Sequence, residues 1–444
     1  MERLTSPELS AGGARPGRYR WAICAALFLV TTINYMDRFM LSLMAHHLFH
    51  TLHFTQVDYG YISAVFGAFY AVGYALCGYF MDAAGIWLGF ALTVIIFSGA
   101  EMSMTFTTTV AGFMIAQAVL GLAQGANFPG AIKAVGQWFP KKGRALTTGI
   151  FNAGTSLGLV AAPLLGAALV ALGLSWQWAF MAAGLIGVVW TLWWMLWYKS
   201  PETNPRLSAD ELAYIRSDPP EAPVRVGWAT LLAYKQSWSF VLATAMTSPV
   251  WWFWLIWIPG FFYKVHHVKI LKLILPMLII YGMADLGSIG GGWLSSYFLT
   301  RGWTLSGARK TAMLISALLV VPVFAAAIVS NYLLAAFFIG LAAAGHQGFS
   351  ANLYTMASDT MPGKVVGSLV GLGGCVASII SAFVSAGVGW FLTETHNQYF
   401  LLFAIASSAY LLALLVIQVI NPQWQSAAPS IVADSPGAAG TTPA

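Results

Sequence analysis

Charged residues and cysteines are both scarce in this chain. Asp, Glu, Lys and Arg make up 8% of the 444 residues, whereas hydrophobic residues make up 59%. A soluble domain carries roughly one quarter charged residues, so this composition excludes an ordinary soluble domain. The three cysteines, Cys24, Cys77 and Cys375, lie singly in different apolar segments. This spacing excludes a disulfide framework or a zinc site built on paired cysteines.

Signatures of enzyme chemistry are also absent from the sequence. No Gly-rich loop followed by Lys indicates nucleotide hydrolysis, and no Ser, Cys or zinc signature indicates a membrane hydrolase. Four histidines, His46, His47, His50 and His53, lack carboxylate or cysteine companions, and we interpret them as part of a wet interfacial loop. The sequence therefore predicts neither an enzyme, a metal site nor a cofactor.

Long apolar runs dominate what is present. Each reaches the roughly 20 residues that a helix needs to cross a bilayer. They predict an all-α membrane protein with twelve spans, near residues 20–44, 57–80, 87–107, 111–137, 146–170, 176–198, 238–264, 273–299, 309–330, 332–358, 365–391 and 398–420.

The polar segments divide these spans into two halves. The predicted domains are an N-terminal segment 1–19, a six-helix bundle 20–198, a linker 199–236, a second bundle 237–420 and a disordered tail 421–444 rich in Ala, Ser, Pro and Gly.

Positive charge indicates the orientation of the chain. Most of the 21 Lys and Arg residues fall on one side if both termini lie in the cytoplasm, and Lys264, Lys269 and Lys272 fall on the other. Cations resist translocation, so the sequence predicts cytoplasmic termini. The net charge is +6, but the cations lie in short loops rather than on one contiguous face, and this distribution predicts no nucleic-acid partner.

The two halves echo each other weakly. Residues 78–85, which follow the second span, parallel residues 292–302, which follow the eighth. Parallel six-span repeats are typical of the major facilitator architecture, in which substrate binds near the membrane midplane between the halves and rocking gives alternating access.

Several motifs resemble one family of that architecture. The run Ile33-Asn34-Tyr35-Met36-Asp37-Arg38 resembles the anion:cation symporter family of the major facilitator superfamily, and further agreement lies in residues 54–61, 127–134, 137–140, 148–154, 249–253 and 346–350. Within that family the chain looks most like bacterial hexuronate transporters. The resemblance implies proton-coupled uptake of glucuronate or galacturonate across the bacterial inner membrane.

The chain departs from this family at several charged positions. Relatives usually carry Arg and Glu where it has Gln117 and Gln124, an acid where it has Ser248, and an Asp-Arg pair where Asp82 precedes Ala83. Two alternatives therefore stay open beside the coupled carrier: an uncoupled sugar-acid carrier, and a non-transporting sensor built on a carrier fold.

Arg38 is the sharpest candidate for substrate binding. A cation at membrane depth costs at least about 2.5 kcal/mol and is normally retained for function. Its guanidinium can bind a carboxylate through two parallel hydrogen bonds, which suits a uronate. A structural pair with Asp37 is the alternative, but adjacent helical residues do not face each other.

Other polar residues within the spans complete the predicted site. Asp37 is a candidate proton carrier because burial favours its neutral form, and Asp285 is a second candidate proton or gating residue. The resemblance implies substrate contacts for Tyr35 and Tyr70, whose rings and hydroxyls suit a sugar. The remaining predicted binding residues could equally be packing or hydrogen-bonding groups: Gln117, Gln124, Asn127, Asn152, Ser156, Trp252, Tyr281, His346, Gln347 and Asn352.

Overall fold

Long helices form the described part of the chain, and they run back and forth between two sides. The computed structural model describes residues 17–44, 48, 51–218, 231–267, 274–363, 365–395 and 398–427. The helices are α1 Tyr19–Leu43, α2 Gln56–Ser103, α3 Val110–Gln124, α4 Asn127–Trp138, α5 Lys141–Ala171, α6 Trp178–Trp197, α7 Ala209–Ile215, α8 Lys235–Lys264, α9 Ile274–Thr300, α10 Leu305–Val320, α11 Tyr332–Thr360, α12 Val366–Glu394 and α13 Phe400–Ile420.

Twelve membrane crossings account for all of these helices except the short α7 in the linker. Ten helical stretches are long and apolar enough to span a bilayer among the described residues. One of them, within α2, bends at Gly85, where φ is +80°, and so makes two crossings. The 30-residue α8 supplies the twelfth. A positive φ suits glycine because it has no Cβ, and this explains the bend at that residue.

Short polar side chains fix where several helices begin. Thr55 accepts a hydrogen bond from the Asp58 amide at 3.1 Å, and the Asp58 carboxylate accepts one from the Thr55 amide at 2.8 Å. This capping box starts α2. Thr109, Thr304 and Asn331 cap α3, α10 and α11 by accepting hydrogen bonds from backbone amides of the first turn, without the reciprocal bond.

The two halves meet through helix pairs that contain close glycine contacts. A Cβ added to Gly78 of α2 would overlap the carbonyl oxygen of Gly367 at the start of α12. A Cβ added to Gly292 of α9 would overlap the carbonyl oxygen of Ala145 at the start of α5. The paralleled sequence segments thus occupy equivalent contacts between the halves, where small residues let backbones approach closely.

Buried ion pairs join the halves on the side that carries the linker 199–218, which we call the linker side. Asp359 of α11 accepts from Arg309 Nε at 2.9 Å and lies 3.6 Å from Arg144 of α5. Arg309 also donates to the carbonyl oxygen of Lys141 at 2.7 Å. The Arg309 and Asp359 side chains are both fully buried. Opening this side would separate Arg144 from Asp359 and Arg309 from the Lys141 carbonyl oxygen, and the loss of such contacts between buried charged groups is costly.

A second polar contact crosses the halves on the same side. Asp82 of α2 pairs with Lys133 of α4 at 2.9 Å. Its carboxylate also accepts hydrogen bonds from the backbone amides of Gly367 and Ser368, at 3.2 and 2.6 Å. Asp82 therefore links three helices, and the described structure is closed on the linker side.

Candidate substrate cavity

A large cavity lies between the halves among the described residues. Its volume is about 1020 Å³, and helices from both halves line it. Ser42 near the end of α1, Tyr59 near the start of α2 and Met277 near the start of α9 lie on its wall. These helix ends are on the side opposite the linker. The cavity thus extends from the middle of the bundle toward that far side.

Arg38 occupies an aromatic cage on the N-terminal wall. Its guanidinium carbon lies 4.5 Å from the centre of the Tyr35 ring, 4.4 Å from Tyr70 and 5.4 Å from Phe66. Such contacts hold a cation without neutralising it. Among the described residues Arg38 forms no salt bridge, so its charge is available to an anionic ligand.

Two amide side chains orient the guanidinium. Nη2 donates to Asn34 Oδ1 at 3.2 Å, and Nε lies 3.4 Å from Gln124 Oε1. The Gln124 amide nitrogen also donates to the backbone oxygen of Asn34 at 3.1 Å. Gln124 therefore holds Arg38 in place from outside the cavity lining.

Aromatic side chains dominate the C-terminal wall. His346 of α11 stacks on Trp251 of α8 with ring centres 4.7 Å apart, and its Nδ1 lies 2.6 Å from the Tyr410 hydroxyl. Trp252 and Tyr281 also line the cavity. Trp251, rather than Trp252, makes the stacking contact with histidine.

Polar groups from the two halves meet at the base of the cavity. Asn152 of α5 donates to Gln347 Oε1 of α11 at 2.9 Å. Ser156, one turn further along α5, lies beside the Asp285 carboxyl of α9. One oxygen of Asp285 is buried without a hydrogen-bond partner among the described residues. Asp285 therefore presents a carboxyl group with one unbonded oxygen, on the half opposite the one that carries Arg38.

Ten of the fifteen predicted site residues line this one cavity. They are Tyr35, Arg38, Tyr70, Asn152, Ser156, Trp252, Tyr281, Asp285, His346 and Gln347. Their roles in binding or coupling remain predictions.

The other five predicted residues lie elsewhere, among helix contacts. Gln124 supports Arg38, and Asn127 donates to Thr31 Oγ1 at 3.1 Å. Gln117 lies 3.5 Å from the Met104 sulfur, and Asn352 donates to the backbone oxygen of Gly291 at 3.0 Å. Asp37 is buried in α1 away from the cavity wall. Neither Gln117 nor Gln124 lies on the cavity wall.

Several cavity residues were not predicted from the sequence. Tyr74 follows Tyr70 by one helical turn, and this spacing could have identified it. Tyr354 and Trp251 also line the cavity. Isolated aromatic residues are so common in this chain that no sequence signal distinguished these two.

The described residues contain no group of three His, Cys, Asp or Glu that could hold a metal ion. His46, His47 and His50, part of the histidine cluster that we interpreted as an interfacial loop, lie outside the described residues.

Two helical halves around a central cavity with one closed side define a membrane transporter of the alternating-access kind. The Major Facilitator Superfamily model matches residues 27–384, and the chain belongs to that family. This match confirms the predicted family, the all-α fold and the transporter rather than enzyme assignment. The chain is a multi-pass membrane protein.

Sequence relatives agree with the narrower resemblance. The hexuronate transporter of Escherichia coli strain K12 is 29% identical over 412 residues, which is 90% of this chain and 94% of the relative. The galacturonate transporter of Dickeya chrysanthemi is 31% identical over 290 residues, which is 63% of this chain and 82% of the relative.

Solved structures of low sequence identity show the same fold. The proton:xylose symporter XylE has a TM-score of 0.73 at 13% identity, and the match covers 93% of this chain and 98% of XylE.

Proposed function

We propose that this protein is a proton-coupled carrier that takes hexuronates into the bacterial cytoplasm across the inner membrane. The linker side and both termini then face the cytoplasm. The described structure is the outward-facing state, with its cavity open to the source of substrate. The partners are a small carboxylated sugar, a proton and the lipid bilayer.

The observation that carries this proposal is the aromatic cage around Arg38. A guanidinium that is oriented by amides and has no acidic partner is suited to a single carboxylate. The rings of Tyr35 and Tyr70 beside it can contact the face of a sugar while their hydroxyls bond sugar oxygens. The names of the relatives, which include hexuronate and galacturonate transporters, support this chemistry.

Uptake into proteoliposomes tests this function. We expect labelled galacturonate or glucuronate to accumulate under an inward proton gradient, and a protonophore to abolish the accumulation. Exchange without accumulation would favour the uncoupled carrier. Binding without any flux would contradict transport and favour the sensor.

The charges in the cavity favour a monocarboxylate over a dicarboxylate. Arg38 and Asp285 are the two residues among its described lining that carry a full charge at neutral pH in water. A substrate with one carboxylate can bind Arg38 and present hydroxyls to Asp285. A sugar diacid would bring its second carboxylate toward Asp285, where like charges repel. We therefore propose Asp285 as a selectivity residue as well as a candidate proton site.

Asp285→Asn separates these two roles. Removing the carboxyl while keeping its shape should improve competition by galactarate against labelled galacturonate by roughly 10-fold. Competition assays at fixed pH measure this effect, and accumulation under a proton gradient measures coupling. Ser378→Ala, on the same cavity wall, is the matched control. Unchanged discrimination against galactarate would contradict the selectivity role.

A further inference from the structure

Two acidic side chains are buried in the N-terminal half behind the cavity wall. Asp37 lies on α1 and Glu101 lies near the end of α2, and each is 0% exposed. None of their four carboxyl oxygens has a hydrogen-bond partner among the described residues. The two carboxyl groups are close enough to interact electrostatically with each other. Two unpaired carboxylates could not both remain charged in such a place, because burial and mutual repulsion favour a proton on at least one.

The helices around the pair offer no cation to neutralise it. The sequences of α3 and α6, which pack against α2, contain no ionisable side chain. Arg38 follows Asp37 on α1, but its guanidinium lies in the aromatic cage of the cavity. The other titratable or charged groups on neighbouring helices are Tyr19, Arg20, Cys24 and Tyr35 on α1, Asp58, Tyr59, Tyr61, Tyr70, Tyr74, Cys77, Tyr79 and Asp82 on α2, Lys133 on α4, Lys141, Lys142 and Arg144 on α5, and Cys375 and Glu394 on α12.

Those other cations lie on the linker side, where Lys141 and Lys142 belong to the first turn of α5. Lys133 pairs with Asp82, Arg144 pairs with Asp359 and Arg20 pairs with Glu211. The structure therefore contains a pair of acids whose charge depends on protons alone.

We propose that Asp37 and Glu101 form the proton-binding site of this carrier. The inference rests on the proposed function and deepens it, because it gives the transported proton a place that is separate from the sugar. The amides of Gln117 and Gln124 on α3 carry no proton at physiological pH, so Glu101 supplies the second acid from α2.

The position of Asp37 couples this site to the substrate. It is adjacent to Arg38 in the chain, so loss of a proton from the pair adds negative charge close to the guanidinium. That charge weakens the attraction between Arg38 and a substrate carboxylate. Sugar acid thus binds best when the pair is protonated. On the cytoplasmic side, where protons are scarcer, deprotonation favours release of the anion. One proton and one monoanion enter together, and no net charge accompanies them.

Glu101→Gln tests the proposal in proteoliposomes. We expect accumulation of galacturonate under a proton gradient to fall by at least about 5-fold, while exchange of labelled for unlabelled galacturonate continues. Galacturonate affinity should also lose most of its dependence on pH. Glu394→Gln removes an exposed acid at the end of α12 and should leave both assays unchanged.

Two further variants keep the test decisive if Glu101→Gln does not fold. Asp37→Asn should uncouple accumulation from exchange in the same way, and Glu101→Asp should retain coupling because it keeps a carboxyl. Accumulation at the wild-type level in Glu101→Gln or Asp37→Asn would overturn the proposal. A wild-type protein that exchanges galacturonate but never accumulates it would also overturn the proton site, while leaving the carrier function intact. A wild-type protein that does neither would instead refute the proposed function.

Discussion

Replacing Arg38 with Ala should weaken galacturonate binding by about 30-fold or more and abolish measurable uptake. The substrate carboxylate would lose its only charged partner on the described cavity wall, and truncating one member of a buried charge pair costs about 2 to 5 kcal/mol. Quenching of the fluorescence of the cavity tryptophans, or scintillation proximity binding of labelled galacturonate, measures the affinity.

Two matched variants show whether this loss reflects the cavity. Arg38→Lys keeps the charge but loses the planar fork, so an intermediate affinity is expected. Arg301→Ala removes another guanidinium that lies over an aromatic ring, 5.0 Å from Tyr297, but on an exposed helix end. Its binding should match the wild type. Equal losses in Arg38→Ala and Arg301→Ala would contradict the role assigned to Arg38.

A disulfide across the linker side should stop transport completely and reversibly. A Cβ added to Gly136 of α4 would lie 3.6 Å from the Ser358 Cβ of α11. This separation is within the range for a disulfide. Gly136→Cys combined with Ser358→Cys should therefore lock the two halves with the linker side closed. Uptake should fall to background after oxidation and return when a reductant is added, and substrate binding from the side opposite the linker should persist.

Single-cysteine variants serve as the controls for this lock. Both single variants should keep their uptake after oxidation if the native Cys24, Cys77 and Cys375 are first replaced with Ala. A cross-linked double variant that still transports would show that the linker side does not open during turnover, and this result would contradict alternating access through that side.

The spans were predictable because a bilayer restricts the conformations that a crossing backbone can adopt. Every crossing segment must satisfy its polar groups internally, so a long apolar run implies a helix. The predicted ends of the spans were less accurate. The fifth span was predicted from residue 146, but α5 begins at Lys141. Hydropathy does not register the polar first turn, where Lys141, Lys142 and Arg144 are helical at the linker side.

Two local features of the helices could not be predicted from hydropathy. The predicted second and third spans are two crossings, as expected, but they join directly at the non-helical residue Gly85 without a connecting loop. The predicted ninth span was one helix, whereas α10 ends at Val320 and a 3-10 helix follows over Val321–Ala327. Pro322 lacks the amide that a continuous α-helix needs, which accounts for this change.

The candidate site was predictable where charge marked it. Arg38 is conspicuous as a cation in an apolar segment, and the structure places it on the cavity wall. Glu101 is equally rare for its surroundings, but α2 is apolar on all sides there, so periodicity could not indicate which neighbour it faces. Its proximity to Asp37 depends on how α1 packs against α2, which one chain segment cannot disclose.

Closure of the linker side also caps a helix, because it brings Asp82 to the Gly367 and Ser368 amides at the start of α12. The first amides of a helix have no partners within it, and a carboxylate at that end also faces the positive pole of the helix dipole. While the linker side is closed, α12 therefore receives its N-cap from the opposite half of the molecule. When the halves part, α12 loses that cap and water must hydrate the freed amides. Each transport cycle then removes and restores the N-terminal cap of a membrane helix, and the Gly367 and Ser368 amides should become open to hydrogen exchange only while the linker side is open.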